Sequence, residues 1–492
     1  MKEILEGINY EVIKGNTEEH VSDITIDSRK ANKDSVFIAL SGVNFDAHDF
    51  IKSAYENGCR NFIVEKDIDL QGIDEANIIK VDNTRANLAT MSANFYHHPA
   101  NELITIGITG TKGKTTTAQL IKNIIESTGE KCGLIGTLGV FVGDEHYKTM
   151  NTTPESIDIQ KYMRKMADSG CKAVVMEVSS QALKYNRVKS LNFDYGIFTN
   201  LSEDHIGENE HPTYEDYRDS KSKLFSQCTV GILNKDSQDY QHMVKNAKCK
   251  IKTFGIETDT NYKVTEYNFL HENGKIGMHF VVNDDENYTV YTPGKFSVYN
   301  SLCAISVARE MKIPEKNIKE TLENFSVKGR VEPVNISDKF TLLIDYAHEA
   351  MSLESLLTTI KEYNPKRIVT LFGCGGNRSK LRRYEMGEIS GKYSDLTIIT
   401  EDNSRFEDVM DIINDIKTGI NKTDGEYVVV PNRKDAIRYA IENAMEGDII
   451  LLCGKGHEDY QEIRGVRHHM DERELIQDIV NELQDKKTLI RK

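Results

Sequence analysis

Residues 104–117 (ITIGITGTKGKTTT) place lysine and threonine side chains in and after a glycine-rich turn, a combination suited to holding phosphate. The β-branched run before the glycines predicts a buried strand, and apolar residues at helical spacing after Thr115 predict a helix. Between them, glycines allow backbone N–H groups to approach oxyanions, and a helix N-terminus favours negative charge. Lys114 would reach the β- and γ-phosphates, and the Thr115 hydroxyl would ligate Mg²⁺. Ile108 stands where the G-x-x-x-x-G-K-[ST] form has its first glycine, but strand, loop and helix in this order predict binding of ATP or GTP.

Three further residues have side chains that could take part in phosphoryl transfer. Glu177 lies near the end of a predicted hydrophobic strand, 173–180, where a nucleotide-bound Mg²⁺ needs a hard oxygen ligand. A buried structural carboxylate is the alternative. His205 follows a predicted strand, 194–200, and could ligate a second metal ion or orient phosphate, or could simply lie at the surface. Lys221 belongs to a predicted helix and is, by itself, an ordinary solvated lysine.

Three segments in the last third of the chain mix arginine with carboxylates at predicted strand ends: 373–383, 401–405 and 454–458. Ligands of doubly wound sheets bind beyond the carboxyl ends of the strands, so these segments should share one site. Charge-assisted pairs of this kind suit a zwitterionic amino acid. Cys374 and Cys453 lie in the same segments without a paired histidine motif, and we expect buried structural thiols.

Composition bounds the class of protein. A chain of 492 residues predicts roughly three domains. A formal net charge of −15 argues against a nucleic-acid partner. We find neither an apolar run of about 18 residues nor a signal-peptide pattern, and therefore expect no membrane insertion. The eight scattered cysteines contain no C-x-x-C pair, which favours a reduced, cytoplasmic setting. We also expect a monomer.

The elements that must position these residues form an α/β protein of three domains. Residues 1–98 alternate short strands and helices and predict a small mixed α/β domain. Residues 99–330 open with the glycine-rich turn and predict a central P-loop mononucleotide-binding domain. Residues 331–492 alternate strands and helices and predict a Rossmann-like, doubly wound domain. Substrates held by the outer domains would meet at the γ-phosphate, which suits a ligase better than a switch.

Ordered motifs also resemble those of a known family, the Mur ligases, over nearly the whole chain. The motifs are GTKGKTT (110–116), NTTP (151–154), EVSS (177–180), TNLSEDH (199–205) and DYAH (345–348). Three more are similar to the tripeptide-synthetase (MurE) type: GCGGNR (373–378), DNSR (402–405) and GKGHEDYQ (454–461). The resemblance implies that the three domains bind, in order, the UDP-sugar, ATP and the incoming amino acid.

The resemblance implies an ATP- and Mg²⁺-dependent ligase of peptidoglycan precursor synthesis, with small molecules as its partners. ATP would phosphorylate the D-glutamate carboxylate of UDP-N-acetylmuramoyl-L-alanyl-D-glutamate to an acyl phosphate. The amine of a diamino acid would attack it, releasing phosphate and forming an amide. Two alternatives remain: a related ligase with another peptide or poly-glutamate substrate, and a P-loop switch without ligation chemistry.

Matched to the family's motifs, four groups of residues acquire roles. ATP would be bound by Gly110, Thr111, Lys112, Gly113, Lys114, Thr115, Thr116, Asn300, Arg330 and Asp345. The UDP-sugar peptide would contact Ser28, Asn151, Thr152, Thr153, Ser179, Tyr185 and Arg187. The amino acid would contact Arg383, Asp402, Asn403, Ser404, Arg405, Gly454 and Glu458. Metal ions would be held by Thr115, Glu177, His205 and Lys221, and the catalytic residues would be Lys114, Lys221 and His205.

The family's carbamylated lysine lies four residues before a phenylalanine, as Lys221 lies before Phe225. The resemblance thus implies that Lys221 is a carbamate and a metal ligand. The chain departs from the family at Gln181, where histidine is usual, and at Ser220, where alanine is usual. Tyr185 likewise replaces a frequent glutamine.

Which diamino acid is added depends on the DNSR motif, which reads DNPR in many members. Arg405 is the feature associated with meso-diaminopimelate, because a guanidinium can pair bidentately with its distal carboxylate. Lysine-adding members usually lack this arginine. Ser404 replaces proline, which is expected to loosen the turn. We favour meso-diaminopimelate, with L-lysine or another diamino acid as the alternative.

Overall fold

The computed structural model describes residues 1–42, 46–204, 206–207, 210–272 and 274–490, with the backbone alone described at 485–490. The chain forms two compact units. The first comprises Met1–Lys263 and Leu302–Ile318, and the second comprises Val264–Ser301 and Lys319–Lys492. Both units mix helices and strands, so the α/β class is confirmed.

The first unit begins with a five-stranded sheet in the order β1-β5-β4-β3-β2, parallel except for β1. Its strands are β1 (Tyr10–Lys14), β2 (Asp23–Thr25), β3 (Ser35–Ile38), β4 (Asn61–Val64) and β5 (Asn77–Val81), with helices α1 (Ile51–Glu56) and α2 (Thr84–Phe95). Strands β3 and β4 are buried along their whole length, as expected of parallel strands covered on both faces. Val36 packs in the core on one face and Phe37 in the core on the other.

A second sheet of the first unit carries the glycine-rich turn. Its strands are β6 (Ile104–Thr109), β7 (Lys131–Gly136), β8 (Gly139–Val142), β9 (Glu145–Tyr147), β10 (Cys171–Glu177), β11 (Phe193–Phe198), β12 (Cys228–Asn234) and β13 (Lys250–Gly255). Its helices are α3 (Lys114–Glu126), α4 (Ser156–Asp168), α5 (Ser180–Lys184), α6 (Tyr214–Ser222) and α7 (Tyr240–Lys245). Strand β6 is central, with β10 and β11 parallel on either side. The loops that follow these three strands therefore emerge at one edge of the sheet.

The second unit contains an antiparallel meander and a doubly wound sheet. The meander is β14 (Tyr262–Glu272), β15 (Lys275–Val282) and β16 (Glu286–Val290). Helices α8 (Lys295–Glu310) and α9 (Glu315–Glu323) follow it in the chain, and their residues between 302 and 318 belong to the first unit. The first two residues of β14 belong to the first unit and pair with β13. The sheet consists of β17 (Glu332–Pro333), β18 (Thr341–Asp345), β19 (Arg367–Phe372), β20 (Leu396–Ile399), β21 (Tyr427–Val429) and β22 (Asp448–Cys453).

Helices α10 (Ala350–Lys361), α11 (Lys380–Tyr393), α12 (Val409–Ile420) and α13 (Arg433–Glu442) alternate with the strands of this sheet, whose order is β17-β18-β22-β19-β20-β21. All strands but β17 are parallel, so the prediction of a doubly wound C-terminal sheet is confirmed. The chain continues with the hairpin β23 (Tyr460–Ile463) and β24 (Val466–His469), then α14 (Glu472–Ile490). Within the described residues, no helix has the length and apolar character needed to cross a membrane. The predicted domain boundaries at 98 and 330 stay predictions.

Candidate active site

The glycine-rich turn between β6 and α3 curls around the Lys114 side chain. The Lys114 Nζ donates to the carbonyls of Gly110 and Thr111, both at 2.9 Å. Gly110 has a φ of 152°, and a Cβ there would lie 2.0 Å from Thr199 Oγ1, so this position requires glycine. Burial lowers the pKa of Lys114, and the nearby charge of Glu177 opposes that shift. The predicted strand, turn and helix are all present.

Residues after β11 hold this turn from the side. The Thr111 N–H donates to the Asn200 carbonyl at 2.9 Å, and the Thr199 hydroxyl donates to the Lys112 carbonyl at 2.8 Å. The Tyr217 hydroxyl lies 3.0 Å from Thr111 Oγ1 and connects the turn to α6. The backbone of the turn is therefore fixed by its neighbours, which leaves the N–H groups at the start of α3 for an anion.

Glu177 lies beside the turn at the end of β10 and is 1% exposed. Its carboxylate accepts from the Thr115 hydroxyl at 3.0 Å and from the Thr137 backbone N–H at 2.9 Å. Gly136 makes room for it, since a Cβ there would lie 2.3 Å from Glu177 Oε1. A carboxylate and a hydroxyl in contact are hard oxygen donors, so this pair fits a Mg²⁺ ion.

Lys221 also points at the turn. It is 2% exposed, and its Nζ donates to the Gly110 carbonyl at 3.0 Å and lies 4.5 Å from the centre of the Tyr217 ring. Burial, and then the charge of Lys114, lower the pKa of Lys221 well below its ordinary value. The solvated position considered from the sequence is therefore wrong, while carbamylation stays a prediction. His205 lies outside the described residues.

Three of the seven residues predicted to contact the UDP-sugar peptide are connected by hydrogen bonds around Thr153. Its hydroxyl donates to the Glu177 carbonyl at 2.8 Å and accepts from the Ser179 N–H at 2.9 Å, and its carbonyl accepts from Arg187 Nη1 at 3.1 Å. Arg187 Nε lies 2.9 Å from a carboxylate oxygen of Glu155. Four predicted residues lie apart from this bonded set or at its rim: Asn151 and Thr152 in the loop before α4, Tyr185 just after α5, and Ser28 after β2.

Three predicted nucleotide contacts belong to the second unit. Asp345 ends β18, and its carboxylate accepts from the N–H groups of Val331 at 2.8 Å and Ala347 at 2.7 Å. Burial raises the pKa of Asp345. The Arg330 guanidinium lies 5.1 Å from the centre of the Tyr346 ring. Asn300 lies in α8.

A cavity of about 370 Å³ opens at the carboxyl edge of the doubly wound sheet. Five predicted amino-acid contacts line it: Asp402, Asn403, Arg405, Gly454 and Glu458. Arg378 and Arg382 also line it and belong to segment 373–383, which was expected to share this site. The sequence interpretation did not name three further residues of the lining as amino-acid contacts: Tyr346, His348 and Glu349. The wall therefore carries both cations and carboxylates, as a zwitterionic ligand requires.

Comparison with known proteins places the chain in a family. A relative from Clostridium perfringens, named UDP-N-acetylmuramoyl-L-alanyl-D-glutamate–2,6-diaminopimelate ligase, is 41% identical over 489 residues, covering 98% of this chain and 99% of the relative. Three family models match in succession: the Mur ligase family catalytic domain at 20–96, the Mur ligase middle domain at 108–308 and the Mur ligase glutamate ligase domain at 329–456. The chain belongs to the Mur ligase family.

Other relatives and structures agree with this placement. A protein of the same name from Caldanaerobacter subterraneus subsp. tengcongensis is 40% identical to this Mur ligase, covering 98% of each chain. A solved structure of a UDP-N-acetylmuramoyl-L-alanyl-D-glutamate–2,6-diaminopimelate ligase matches with a TM-score of 0.75 at 26% identity, covering 96% of this chain and 97% of that one. MurF from Thermotoga maritima, solved in complex with ADP, shares the fold at 16% identity and a TM-score of 0.56, covering 94% of this chain and 98% of that one.

Within the pocket of this Mur ligase, Arg405 is held by the backbone around it. Its residue has a φ of 51°, its N–H donates to the Glu462 carbonyl at 3.0 Å, and its Nη1 donates to the Gly376 carbonyl at 2.7 Å. The Ser404 carbonyl accepts from the Glu407 N–H at 3.0 Å. These bonds fix the turn without the proline that Ser404 replaces.

Arg383 lies under the pocket rather than in its wall. It is 1% exposed, and its guanidinium donates to both carboxylate oxygens of Glu407 at 2.8 Å, to Asp415 at 2.9 Å and to the Gly375 carbonyl at 3.2 Å. This pairing lowers the pKa of Glu407 to about 2. Arg383 therefore braces the glycine turn, and its predicted contact with the amino acid stays a prediction.

Cys374 and Cys453 are buried, as predicted. Burial raises the pKa of the Cys374 thiol to about 12 and raises the pKa of Cys453 well above its ordinary value, so neither is a thiolate at neutral pH.

Proposed function

We propose that this Mur ligase joins meso-diaminopimelate to UDP-N-acetylmuramoyl-L-alanyl-D-glutamate in an ATP-dependent reaction. The observation that carries the proposal is the second unit's cavity, whose lining includes Arg405, Asp402 and Glu458. Arg405 would bind the distal carboxylate of the acceptor, and the two acids its second ammonium group. The names of the relatives at about 40% identity support the same acceptor.

The first half-reaction is assigned to the glycine-rich turn. The backbone N–H groups at the start of α3 and the Lys114 ammonium bind the triphosphate and stabilise the charge that develops during transfer. The carboxylate of D-glutamate attacks the γ-phosphorus, ADP leaves, and an acyl phosphate forms. A Mg²⁺ ion, when held by Thr115 and Glu177, supplies further neutralisation of the phosphate charge.

The second half-reaction needs a neutral amine on the acceptor. That amine attacks the acyl carbon, the tetrahedral intermediate collapses, inorganic phosphate leaves and the amide remains. Holding the acceptor by its far end, at Arg405 and Glu458, leaves the reacting amine outside those ion pairs and therefore able to lose its proton. Orientation of this kind lowers the barrier without a covalent enzyme intermediate.

We further assign Lys221 as a carbamate and, with His205, as a metal ligand. A neutral amine reacts with CO₂ to give a carbamate and a proton, and the burial of Lys221 supports the neutral form.

We assign one substrate to each of three domains: the UDP-sugar to residues 1–98, ATP to residues 99–330 and the amino acid to residues 331–492. We also propose that the protein is a monomer and that it is cytoplasmic; the eight free thiols support a reducing compartment.

Replacing Arg405 tests the acceptor assignment. Arg405→Ala should lower kcat/KM for meso-diaminopimelate roughly a hundredfold, the range for losing a bidentate charged pair, while the KM for ATP stays unchanged. Arg464→Ala is the matched control, because Arg464 is another positive-φ arginine, in the turn of the β23–β24 hairpin. If Arg405→Ala used meso-diaminopimelate as well as the parent did, or if the parent used L-lysine equally well, the assignment of Arg405 would be refuted.

A further inference from the structure

Lys455, in the turn after β22, is a buried cation that the mechanism above does not use. It is 0% exposed, and its Nζ donates to Asn403 Oδ1 at 3.0 Å, to Glu458 Oε2 at 2.7 Å and to the Tyr460 carbonyl at 2.6 Å. A buried ammonium group is costly unless all its N–H groups are paired. Each of the three has an acceptor here, and two of the acceptors are side chains of the pocket wall.

These bonds fix how Asn403 and Glu458 face the pocket. Asn403 Oδ1 also accepts from the Glu462 N–H at 2.8 Å, so its Nδ2 is directed at Glu458 Oε2, 3.1 Å away. Glu458 Oε2 therefore accepts two hydrogen bonds, one from Lys455 and one from Asn403. In the described part of the chain, Glu458 Oε1 makes no hydrogen bond, and Glu458 lines the cavity. One carboxylate oxygen is anchored and the other is left for a cationic ligand.

Lys455 also balances the charge of two neighbouring acids. Its Nζ lies 2.7 Å from the Glu458 carboxylate and 3.9 Å from that of Asp402, and both acids line the cavity. Without the lysine, these two carboxylates would repel each other. With it, the three groups carry one net negative charge, which one ammonium group neutralises.

We propose that Lys455 is a positioning residue that makes the acceptor pocket select a second ammonium group. It acts through Glu458 and Asn403 and is itself outside the cavity wall. The inference rests on the proposed function, because it concerns the end of the acceptor that does not react. The same network reaches the carboxylate end of the pocket, since Glu462 bonds to Asn403 through its N–H and to the Arg405 N–H through its carbonyl.

The test compares two acceptors in the full-length protein. L-2-Aminopimelate keeps the reacting amine and the distal carboxylate of meso-diaminopimelate but lacks the second amine. The parent protein should prefer meso-diaminopimelate by roughly tenfold to a hundredfold in kcat/KM, the range for a hydrogen bond to a charged group. Lys455→Met should lose most of this preference through a higher KM for meso-diaminopimelate, with unchanged KM values for ATP and the UDP-dipeptide.

Arg367→Met is the matched control, because it removes a partly buried cation at the amino edge of the same sheet, where Arg367 pairs with Asp448 at 2.6 Å. Arg367→Met should lower the midpoint of thermal unfolding, while the preference for meso-diaminopimelate over L-2-aminopimelate should stay as in the parent. Lys455→Gln, which keeps an N–H donor, serves if Lys455→Met does not fold, and should show an intermediate loss of preference.

A double variant separates positioning from general destabilisation. Glu458→Gln should lose the diamino preference, and adding Lys455→Met or Lys455→Gln to it should cost little more, because both act through the same carboxylate. Losses that multiply, or a folded Lys455 variant that keeps the parent's preference within twofold, would overturn the inference. A parent protein that ligates neither acceptor would instead refute the proposed function.

Discussion

The buried Lys221 and the half-buried Lys114 share one backbone carbonyl of the glycine-rich turn. Lys114 and Lys221 both donate to the Gly110 oxygen, at 2.9 and 3.0 Å, so two positive charges meet in a buried place. Burial lowers the pKa of Lys221, and the positive charge of Lys114 lowers it further. Carbamylation of Lys221 would turn this repulsion into attraction, because the lysine would become an anion next to Lys114. The geometry thus gives a physical reason to propose the modification.

Lys221→Ala tests this account. We expect a loss of ligation activity of roughly a hundredfold or more, as for other groups that stabilise charge in the transition state. In the parent protein, ¹³C-labelled bicarbonate should produce a carbamate carbon signal that Lys221→Ala lacks. Lys223→Ala, on the same stretch but exposed, is the control and should keep both signal and activity. Full activity in Lys221→Ala would end the assignment.

The pair of Arg383 and Glu407 should make stability depend on pH. The pKa of Glu407 is lowered to about 2 by Arg383, so its stabilising contribution is complete above the ordinary carboxyl pKa and is lost as the pH falls towards 2. Glu407→Gln should therefore lower the free energy of unfolding by roughly 1–3 kcal/mol at pH 7. In urea unfolding at pH 7, 5 and 3, the difference in the free energy of unfolding between parent and variant should become smaller as the pH falls. A gap that does not change with pH would contradict this account.

At the scale of elements, hydrophobic periodicity predicted the strands and helices, because these depend on residues close together in the sequence. The strand–turn–helix at 104–126 and the alternating strands of the C-terminal sheet followed from local patterns. These local patterns could not predict which of the adjacent residues Arg382 and Arg383 faces the pocket. Arg383 is buried by Glu407 and Asp415, which come from a distant loop and from α12, while Arg382 lines the cavity.

The β23–β24 hairpin shows the same limit. Its exposed, polar sequence gives no sign of its task, yet it supplies the Tyr460 carbonyl to Lys455 and the Glu462 backbone to Arg405 and Asn403. The predicted pocket residues Asp402, Asn403, Arg405, Gly454 and Glu458 were gathered correctly because they follow parallel strands of one sheet. The hairpin residues that hold them in place by hydrogen bonds could be identified only from the three-dimensional structure.

Substitution of one glycine in each of two turns should show that the turns serve different substrates. In Gly110→Ala, the new Cβ would lie 2.0 Å from Thr199 Oγ1, and in Gly376→Ala it would lie 1.9 Å from the Ser404 carbonyl. The first should raise the KM for ATP roughly tenfold or more and spare the acceptor, because it displaces the phosphate turn. The second should raise the KM for the acceptor and spare ATP. Each variant is the control for the other, and equal effects on both substrates would contradict the assignment of the two elements.

At the scale of the whole molecule, the chain matches Mur ligase models over three successive segments, and its two compact units hold different parts of the proposed machinery. The phosphate turn, Glu177 and Lys221 belong to the first unit, and the acceptor pocket belongs to the second. A ligase built in this way should sustain little ADP release until every substrate is bound, because the γ-phosphate is transferred to a substrate carboxylate and the resulting acyl phosphate is consumed only when the acceptor amine attacks it. A nucleotide switch would have no such requirement.

The most direct test is therefore the dependence of ADP release on the acceptor. Purified protein would be given ATP, Mg²⁺ and UDP-N-acetylmuramoyl-L-alanyl-D-glutamate, with meso-diaminopimelate, with L-lysine or with neither, and both ADP and the tripeptide product would be quantified. We predict sustained ADP release that equals tripeptide formation with meso-diaminopimelate, and little of either with L-lysine or without an acceptor. ADP release that is indifferent to the diamino acid would contradict the proposed ligase.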